Sequence, residues 1–128
     1  GPVGNFTQVR MAKSKERLID WDVAMQRLPG GDDVARDLAG MFMLEAPGYV
    51  EQMRTAIDEN NAEVLRRAAH TLKGSAAIFD ITSVITLAQK MEGHAKAEDF
   101  VAAAALLDEL ATAVARLTEE LSEFIQSV

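Results

Sequence analysis

Apolar residues recur at steps of three and four along most of the chain, which is the period of an α-helix with one buried face. From Leu18 onward this pattern is almost continuous, and only three Pro and eight Gly interrupt the whole sequence. Few strands fit such a pattern. The sequence therefore predicts an all-α protein.

The first two helices are delimited by turn and capping residues. A short first helix is predicted from about Asp20 to Arg27, with Asp20 as its N-cap, and Leu28-Pro29-Gly30-Gly31 ends it. The second begins at Asp32 or Asp33. We expect a kink near Glu45 to Pro47, because a proline inside a helix removes one backbone hydrogen bond. The predicted apolar face of the second helix consists of Val34, Leu38, Met41, Phe42, Tyr49, Met53, Ala56 and Ile57.

Three further helices follow, each after a short polar segment. Asn60-Asn61 makes a turn and caps the third helix, which is predicted at about Ala62 to Phe79. Thr82 or Ser83 is predicted to cap the fourth helix and Asp99 the last one. The predicted buried positions are Leu65, Ala68, Ala69, Leu72, Ala76 and Phe79 on the third helix, Val84, Leu87, Ala88, Met91 and Ala95 on the fourth helix, and Phe100, Ala104, Leu107, Leu110, Val114, Leu117, Leu121 and Phe124 on the last helix.

Four long amphipathic helices with short connections predict an antiparallel four-helix bundle with a short extra N-terminal helix. Residues 17–128 are assigned to this domain. Residues 1–16 are interpreted as a leader or tag remnant, because Gly1-Pro2-Val3-Gly4-Asn5 has no apolar period.

Composition narrows the function classes. The 128 residues include no Cys, so disulfides and thiolate metal sites are excluded. Thirteen Lys and Arg against 20 Asp and Glu give a net charge of −7, which argues against nucleic-acid binding as the main function. No run approaches the roughly 20 apolar residues of a membrane helix. We expect a soluble, cytoplasmic domain that does not bind membranes.

The segment His70-Thr71-Leu72-Lys73-Gly74-Ser75-Ala76-Ala77 carries the candidate chemistry. Steps of three and four residues place Lys73 and Gly74 beside His70, on the face opposite the predicted buried stripe. A lone exposed His usually has no role, but these neighbours change that interpretation. Gly inside a helix costs about 1 kcal/mol relative to Ala, so Gly74 requires a reason. A nucleophilic imidazole, a nearby cation and an open approach together favour phosphoryl acceptance by His70.

This segment resembles the signature of histidine-containing phosphotransfer (HPt) domains, and the likeness covers about Leu18 to Phe124. The resemblance implies a four-helix bundle that relays phosphoryl groups to and from an Asp of response-regulator receiver domains and has no kinase activity of its own. The further segments that carry the resemblance are Ile19-Asp20-Trp21-Asp22, Phe42-Met43-Leu44-Glu45-Ala46-Pro47, Leu65-Arg66-Arg67-Ala68-Ala69 and Leu87-Ala88-Gln89-Lys90-Met91-Glu92.

By this resemblance, His70 matches the phosphorylated His, Lys73 the Lys beside the phosphate, and Gly74 the small residue under the receiver. The sequence departs from the family after Ala77. The family usually has a small or polar residue, an apolar residue and then Gly, whereas this sequence has Ile78-Phe79-Asp80. Because of this departure, the sequence does not specify at which residue the third helix ends.

Five further residues are candidates for partner binding, and most have a simpler interpretation. Arg66 and Arg67 are most simply part of a solvated face, but their place one turn before His70 makes them candidates for receiver contact. Glu92 and Lys96 either flank the His pocket or form a surface pair one turn apart. The set predicted to contact the partner is Arg66, Arg67, Ala77, Glu92 and Lys96.

Three functions remain open. The first is a monomeric phosphorelay intermediate whose partners are receiver domains and a hybrid or sensor histidine kinase. The second is the phospho-accepting first domain of a chemotaxis-type kinase, whose motif also tends to carry an apolar residue and Phe where Ile78-Phe79 stand. The third is an inert helical module that docks a receiver. No cofactor is expected on this chain, since Mg²⁺ would belong to the receiver.

Other phosphate and metal chemistries fit poorly. Lys73-Gly74-Ser75 lacks the preceding glycine of a phosphate-binding loop. A sensor-kinase dimerisation helix usually has an acidic residue after its His and a Pro soon afterwards, whereas Thr71 follows His70 here and no Pro is near. His94, on another helix and without Cys, does not make a metal site.

Overall fold

A computed structural model describes Ile19, Gln26 and residues 30–127 of the chain. Residues 30–127 form four α-helices and no strand, which confirms the predicted all-α bundle. The predicted boundary at residue 16 and the short helix Asp20–Arg27 lie outside the described residues, apart from Gln26, which is helical. The helices are α1 (Gly31–Asp58), α2 (Ala62–Ile78), α3 (Thr82–Lys96) and α4 (Phe100–Ser127).

Three-residue turns join the helices, so that each runs antiparallel to the one before it. Each turn contains one residue with positive φ: Asn60 (55°), Asp80 (53°) and Glu98 (54°). The residue after it donates its backbone N–H to a carbonyl five positions earlier, at 2.8 to 3.1 Å, which satisfies one of the helix's final carbonyls.

The predicted caps agree with the structure at two of the four helix starts. Asn61 Oδ1 accepts a hydrogen bond from the Val64 N–H at 3.1 Å, and Asp99 Oδ1 accepts one from the Ala102 N–H at 3.0 Å. The prediction of Thr82 or Ser83 as the α3 cap is wrong. The N-cap is Ile81, which makes no side-chain capping bond but is completely buried. Packing of Ile81 in the core therefore sets where α3 begins.

Helix α1 begins slightly earlier than predicted. Its first residue is Gly31 and its N-cap is Gly30, with φ at 92°. The left-handed conformation at Gly30 favours glycine, which explains why the chain turns into the helix there and not at Asp32. Pro47 lies inside α1 without ending it, as expected, and the kink stays a prediction.

The core fills the space between four helices that pack in a ring, each against the next and α4 against α1. The predicted stripes of α2 and α3 are confirmed in full, since every one of their residues is buried. Phe79 of the α2–α3 turn meets Phe42 of α1 edge to face, with ring centroids 6.5 Å apart.

The predicted faces of α1 and α4 need correction. Val34, Met41 and Ala104 are exposed, whereas Ala35 and Ala103, next to two of them, are buried. Several other predicted positions are only half-buried: Leu38, Tyr49, Ile57, Phe100 and Phe124. On α1 the prediction favoured large apolar side chains, but alanines at a helix contact allow the backbones to approach closely. On α4 the prediction was displaced by one residue, from Ala103 to Ala104. The buried residues that the prediction omitted are Ala35, Ala39, Ala46 and Val50 on α1 and Ala103 on α4.

Candidate functional site

His70 lies in the middle of α2 and its side chain is 64% exposed. The exposure follows from the sequence, because Leu72, Ala69 and their neighbours turn the opposite face of α2 into the core. The imidazole is thus held on a rigid helix and remains accessible from outside, as predicted.

One carboxylate on α3 contacts both basic groups of this face. The Oε2 atom of Glu92 lies 3.2 Å from His70 Nδ1, and its Oε1 atom lies 2.6 Å from Lys73 Nζ. The Lys73 contact is mainly ionic, since Oε1 is buried and receives no well-directed hydrogen bond from the described residues. Glu92 is only 7% exposed. We call His70, Lys73 and Glu92 the His70 cluster.

The charge on Glu92 determines which nitrogen of His70 is free. Burial by itself raises the pKa of the Glu92 carboxyl, but the contacts with Lys73 and His70 outweigh burial and hold this pKa below its ordinary value. Glu92 is therefore ionised at neutral pH and only accepts hydrogen bonds. We accordingly assign the proton of neutral His70 to Nδ1, which leaves the lone pair on Nε2 as the nucleophile.

Gly74 is exposed in the last turns of α2, one turn beyond His70. A Cβ built at this position meets no atom within 4 Å. Close packing against a neighbouring helix is therefore not the reason for glycine here. The remaining reason is that the absence of a side chain at Gly74 leaves the surface beside the imidazole open.

The remaining predicted contact residues differ in their surroundings. Arg66 and Lys96 are exposed, and Ala77 is half-buried. Arg67 is exposed and pairs with Glu63 at 3.1 Å, within α2. These four residues stay predicted partner contacts.

The predicted alternative of a surface pair between Glu92 and Lys96 is wrong, because Glu92 is buried and turns toward α2. For the same reason its carboxylate is not available for a surface contact with a partner. Glu92 instead lies beside His70, as the other alternative predicted. Spacing within one helix did not indicate which residues of α2 it would contact.

The departure from the family pattern after Ala77 is accommodated locally. Helix α2 ends at Ile78, and Asp80, in the position where the family usually has Gly, adopts a φ of 53°. Asp is one of the few residues besides Gly that populate this region. The turn therefore forms without glycine, and His70 keeps its place.

Two further findings concern the described part of the chain. Nowhere in it do three or more His, Asp or Glu side chains come together as a metal site would require. None of its helices is both long and apolar enough to cross a membrane.

Comparisons with known proteins point in one direction. The family model for the Hpt domain matches residues 37–123. The fold is similar to that of histidine-containing phosphotransfer protein B (HptB) from Pseudomonas aeruginosa PAO1, with a TM-score of 0.79 and 19% identity over 86% of this chain and 96% of that protein. It is also similar to the HPT domain of a sensor hybrid histidine kinase from Shewanella, with a TM-score of 0.76 and 17% identity over 87% and 96%. No curated protein matches the sequence.

Proposed function

Because the chain belongs to the HPt family, whose role is histidine phosphotransfer in phosphorelays, we propose that His70 is the residue that carries the phosphoryl group. The observation that supports this assignment is the His70 cluster. It combines an exposed imidazole, a buried carboxylate on Nδ1 and a lysine at the same carboxylate. His94, the other His of the chain, lies in the last turn of α3 outside this cluster.

In the proposed reaction, His70 Nε2 attacks the phosphorus of an aspartyl phosphate on a receiver domain. The N–P bond forms while the P–O bond breaks, and the electron pair of the P–O bond remains on the Asp carboxylate. The ring becomes positively charged, and Glu92 stabilises it through the Nδ1 proton. Transfer to a second receiver Asp reverses these steps and returns neutral imidazole.

Lys73 supplies positive charge beside the reacting group. It is one turn from His70 on the same face of α2, its ammonium group contacts Glu92, and its side chain is 30% exposed. We propose that it stabilises the phosphoryl oxygens during transfer. Its resting contact with Glu92 keeps it at the site when no phosphoryl group is present.

The proposed partners are receiver domains and a hybrid or sensor histidine kinase. Mg²⁺ would be held by the acidic pocket of the receiver, so this chain supplies the nucleophile and no metal ligand. We propose that the domain acts as a cytoplasmic monomer.

The direct test is phosphorylation of the His70→Gln variant. We expect the variant to take no label from a phosphorylated receiver, while its free energy of unfolding stays within about 0.5 kcal/mol of the parent, because His70 is exposed. The His94→Gln variant is the matched control and should accept label normally. The label should be lost in mild acid and survive alkali, as expected for phosphohistidine. An acid-stable label, or a labelled His70→Gln variant, would refute the assignment.

The source of the phosphoryl group separates the proposed relay role from its alternatives. Ile78-Phe79 favours the first domain of a chemotaxis-type kinase as second candidate, and there an ATP-loaded kinase would label the chain. A screen of the parent chain against phosphorylated receiver domains and ATP-loaded kinases of its source genome distinguishes them. Rapid labelling by receivers supports the relay role, labelling by a kinase alone supports the second candidate, and docking without label would indicate an inert module.

The role of Lys73 is tested by Lys73→Ala. We expect slower single-turnover transfer with the fold retained, because a cation stabilises the charge of the transferred group but forms no bond to it. Lys90→Ala, which removes an exposed lysine of α3 outside the cluster, is the control. Equal rates in the parent and in Lys73→Ala would show that Lys73 serves only as the ionic partner of Glu92 and not in transfer.

A further inference from the structure

A second glycine lies beside the His70 cluster. Gly93 follows Glu92 in α3, is exposed like Gly74, and has no atom within 4 Å of a Cβ built on it. Glycine inside a helix is destabilising relative to Ala. Helix packing therefore explains neither Gly74 nor Gly93.

Helix geometry places Gly93 at the outer edge of the groove between α2 and α3. Glu92 reaches across this groove to His70, so residues three and four positions from Glu92 border the same groove. Of the four such residues, Gln89 and Lys96 are exposed, whereas Ala88 and Ala95 are buried in the core. Gly93 is four residues after Gln89 and three before Lys96, so it shares their face. Because Gly74 and Gly93 have no side chains, the surface beside the His70 cluster is open on both α2 and α3.

Charge at this groove suits an acidic partner, although the whole chain carries a net charge of −7. Arg66 lies one turn from His70 on α2, and Lys96 lies one turn from Glu92 on α3. Both are exposed, and neither forms an ion pair with another residue in the described part of the chain. An acidic receiver pocket approaching His70 would meet positive charge on both helices.

We propose that Gly93 is a specificity-determining position for docking: the receiver domain lies across both α2 and α3, and it requires a bare backbone at Gly93 as well as at Gly74. This inference rests on the proposed function. It adds Gly93 to Lys96, the contact already predicted on α3.

The experiment compares three glycines that are exposed and open in the same way. Gly74, Gly93 and Gly48 are each replaced by Gln; Gly48 is the matched control, because it lies on α1, which contributes no side chain to the His70 cluster. Each variant is phosphorylated with potassium phosphoramidate, which needs no protein partner. Each is then mixed with the receiver domain that exchanges label fastest with the parent. Tm is measured in parallel.

We expect all three variants to be labelled by phosphoramidate at the parental rate and to have a Tm no lower than the parent. Transfer to the receiver should fall about tenfold, which corresponds to ~1.4 kcal/mol, in Gly74→Gln and Gly93→Gln, because the inserted side chain hinders the close approach of the receiver. Gly48→Gln should transfer at the parental rate.

Parental transfer by Gly93→Gln would overturn the inference and leave the proposed function intact, and so would an equal loss in Gly48→Gln. If Gly93→Gln has a lower Tm, Gly93→Ala is the second variant. A normal Tm with slowed transfer in Gly93→Ala supports docking, and parental transfer overturns it. Failure of phosphoramidate to label His70 in the parent would instead refute the proposed function.

Discussion

Glu92 shows how one buried side chain organises an exposed site. It is held between α2 and α3 and compensates its burial with two basic partners, His70 and Lys73. A carboxylate that is buried without partners would be strongly destabilising. The charged form of Glu92 is therefore favoured in the folded state, and the free energy of unfolding should decrease at a pH low enough to protonate Glu92.

We predict a pH-dependent effect of Glu92→Gln. The pKa of Glu92 is lower in the folded chain than its ordinary value, so its contribution to stability is complete above about pH 4.3, the value for unfolded chains, and is lost as the pH falls through the lower, folded value. The difference in free energy of unfolding between parent and variant should be largest at pH 7 and shrink toward pH 3.

Urea unfolding at pH 7, 5, 4 and 3 measures this difference. Glu63→Gln, which removes an exposed carboxylate from α2, is the control and should stay within about 0.5 kcal/mol of the parent throughout. A difference between parent and Glu92→Gln that is the same at pH 7 and pH 3 would contradict the prediction.

The three turns between the helices share one backbone conformation. Asn60, Asp80 and Glu98 each occupy the left-handed region after a helix end, where a side chain costs free energy and glycine does not. Asn and Asp tolerate this conformation better than other residues, whereas Glu has no such advantage. Glu98 is therefore the connection residue with the least favourable conformation.

Glu98→Gly should stabilise the domain by about 1 kcal/mol, because it relieves the left-handed conformation between α3 and α4. The adjacent residue provides the control. Ala97 has a helical φ of −81°, so Ala97→Gly should reduce stability by up to about 1 kcal/mol. Thermal unfolding of the two variants should move Tm in opposite directions, and a lower Tm for Glu98→Gly would refute this account.

The bundle as a whole separates the chemistry from the core. The four helices bury one continuous apolar core, while His70 lies on the outer face of α2. Loss of a core side chain should therefore lower stability without impairing phosphoryl acceptance. This holds even within one turn of α2, where Leu72 is completely buried and Thr71 is exposed.

Leu72→Ala should destabilise the domain by about 2–5 kcal/mol, because it leaves a cavity in the core. At a temperature where the variant remains folded, phosphoramidate should still label His70 at the parental rate. Thr71→Ala is the control, with an expected change within about 0.5 kcal/mol. Circular dichroism and label uptake measure the two effects. A loss below about 1 kcal/mol in Leu72→Ala, or a slower uptake in the folded variant, would contradict this separation.

The local features of this protein followed from the sequence. Helical periodicity identified the four long helices, and it placed His70 on the exposed face of α2, because a residue's face is set by its distance from buried neighbours in the same helix. The caps Asn61 and Asp99 were equally predictable, since a capping side chain bonds within three residues.

Only the tertiary structure decided the features that depend on which helices meet. The packing of the helices selected Ala35 for burial in place of Val34 and Ala103 in place of Ala104, and the core fixed Ile81 as the N-cap of α3. Glu92 became the partner of His70 and Lys73 because α3 packs against α2 at that level. Contacts between residues 22 positions apart depend on how the helices pack, which periodicity within a single helix does not specify.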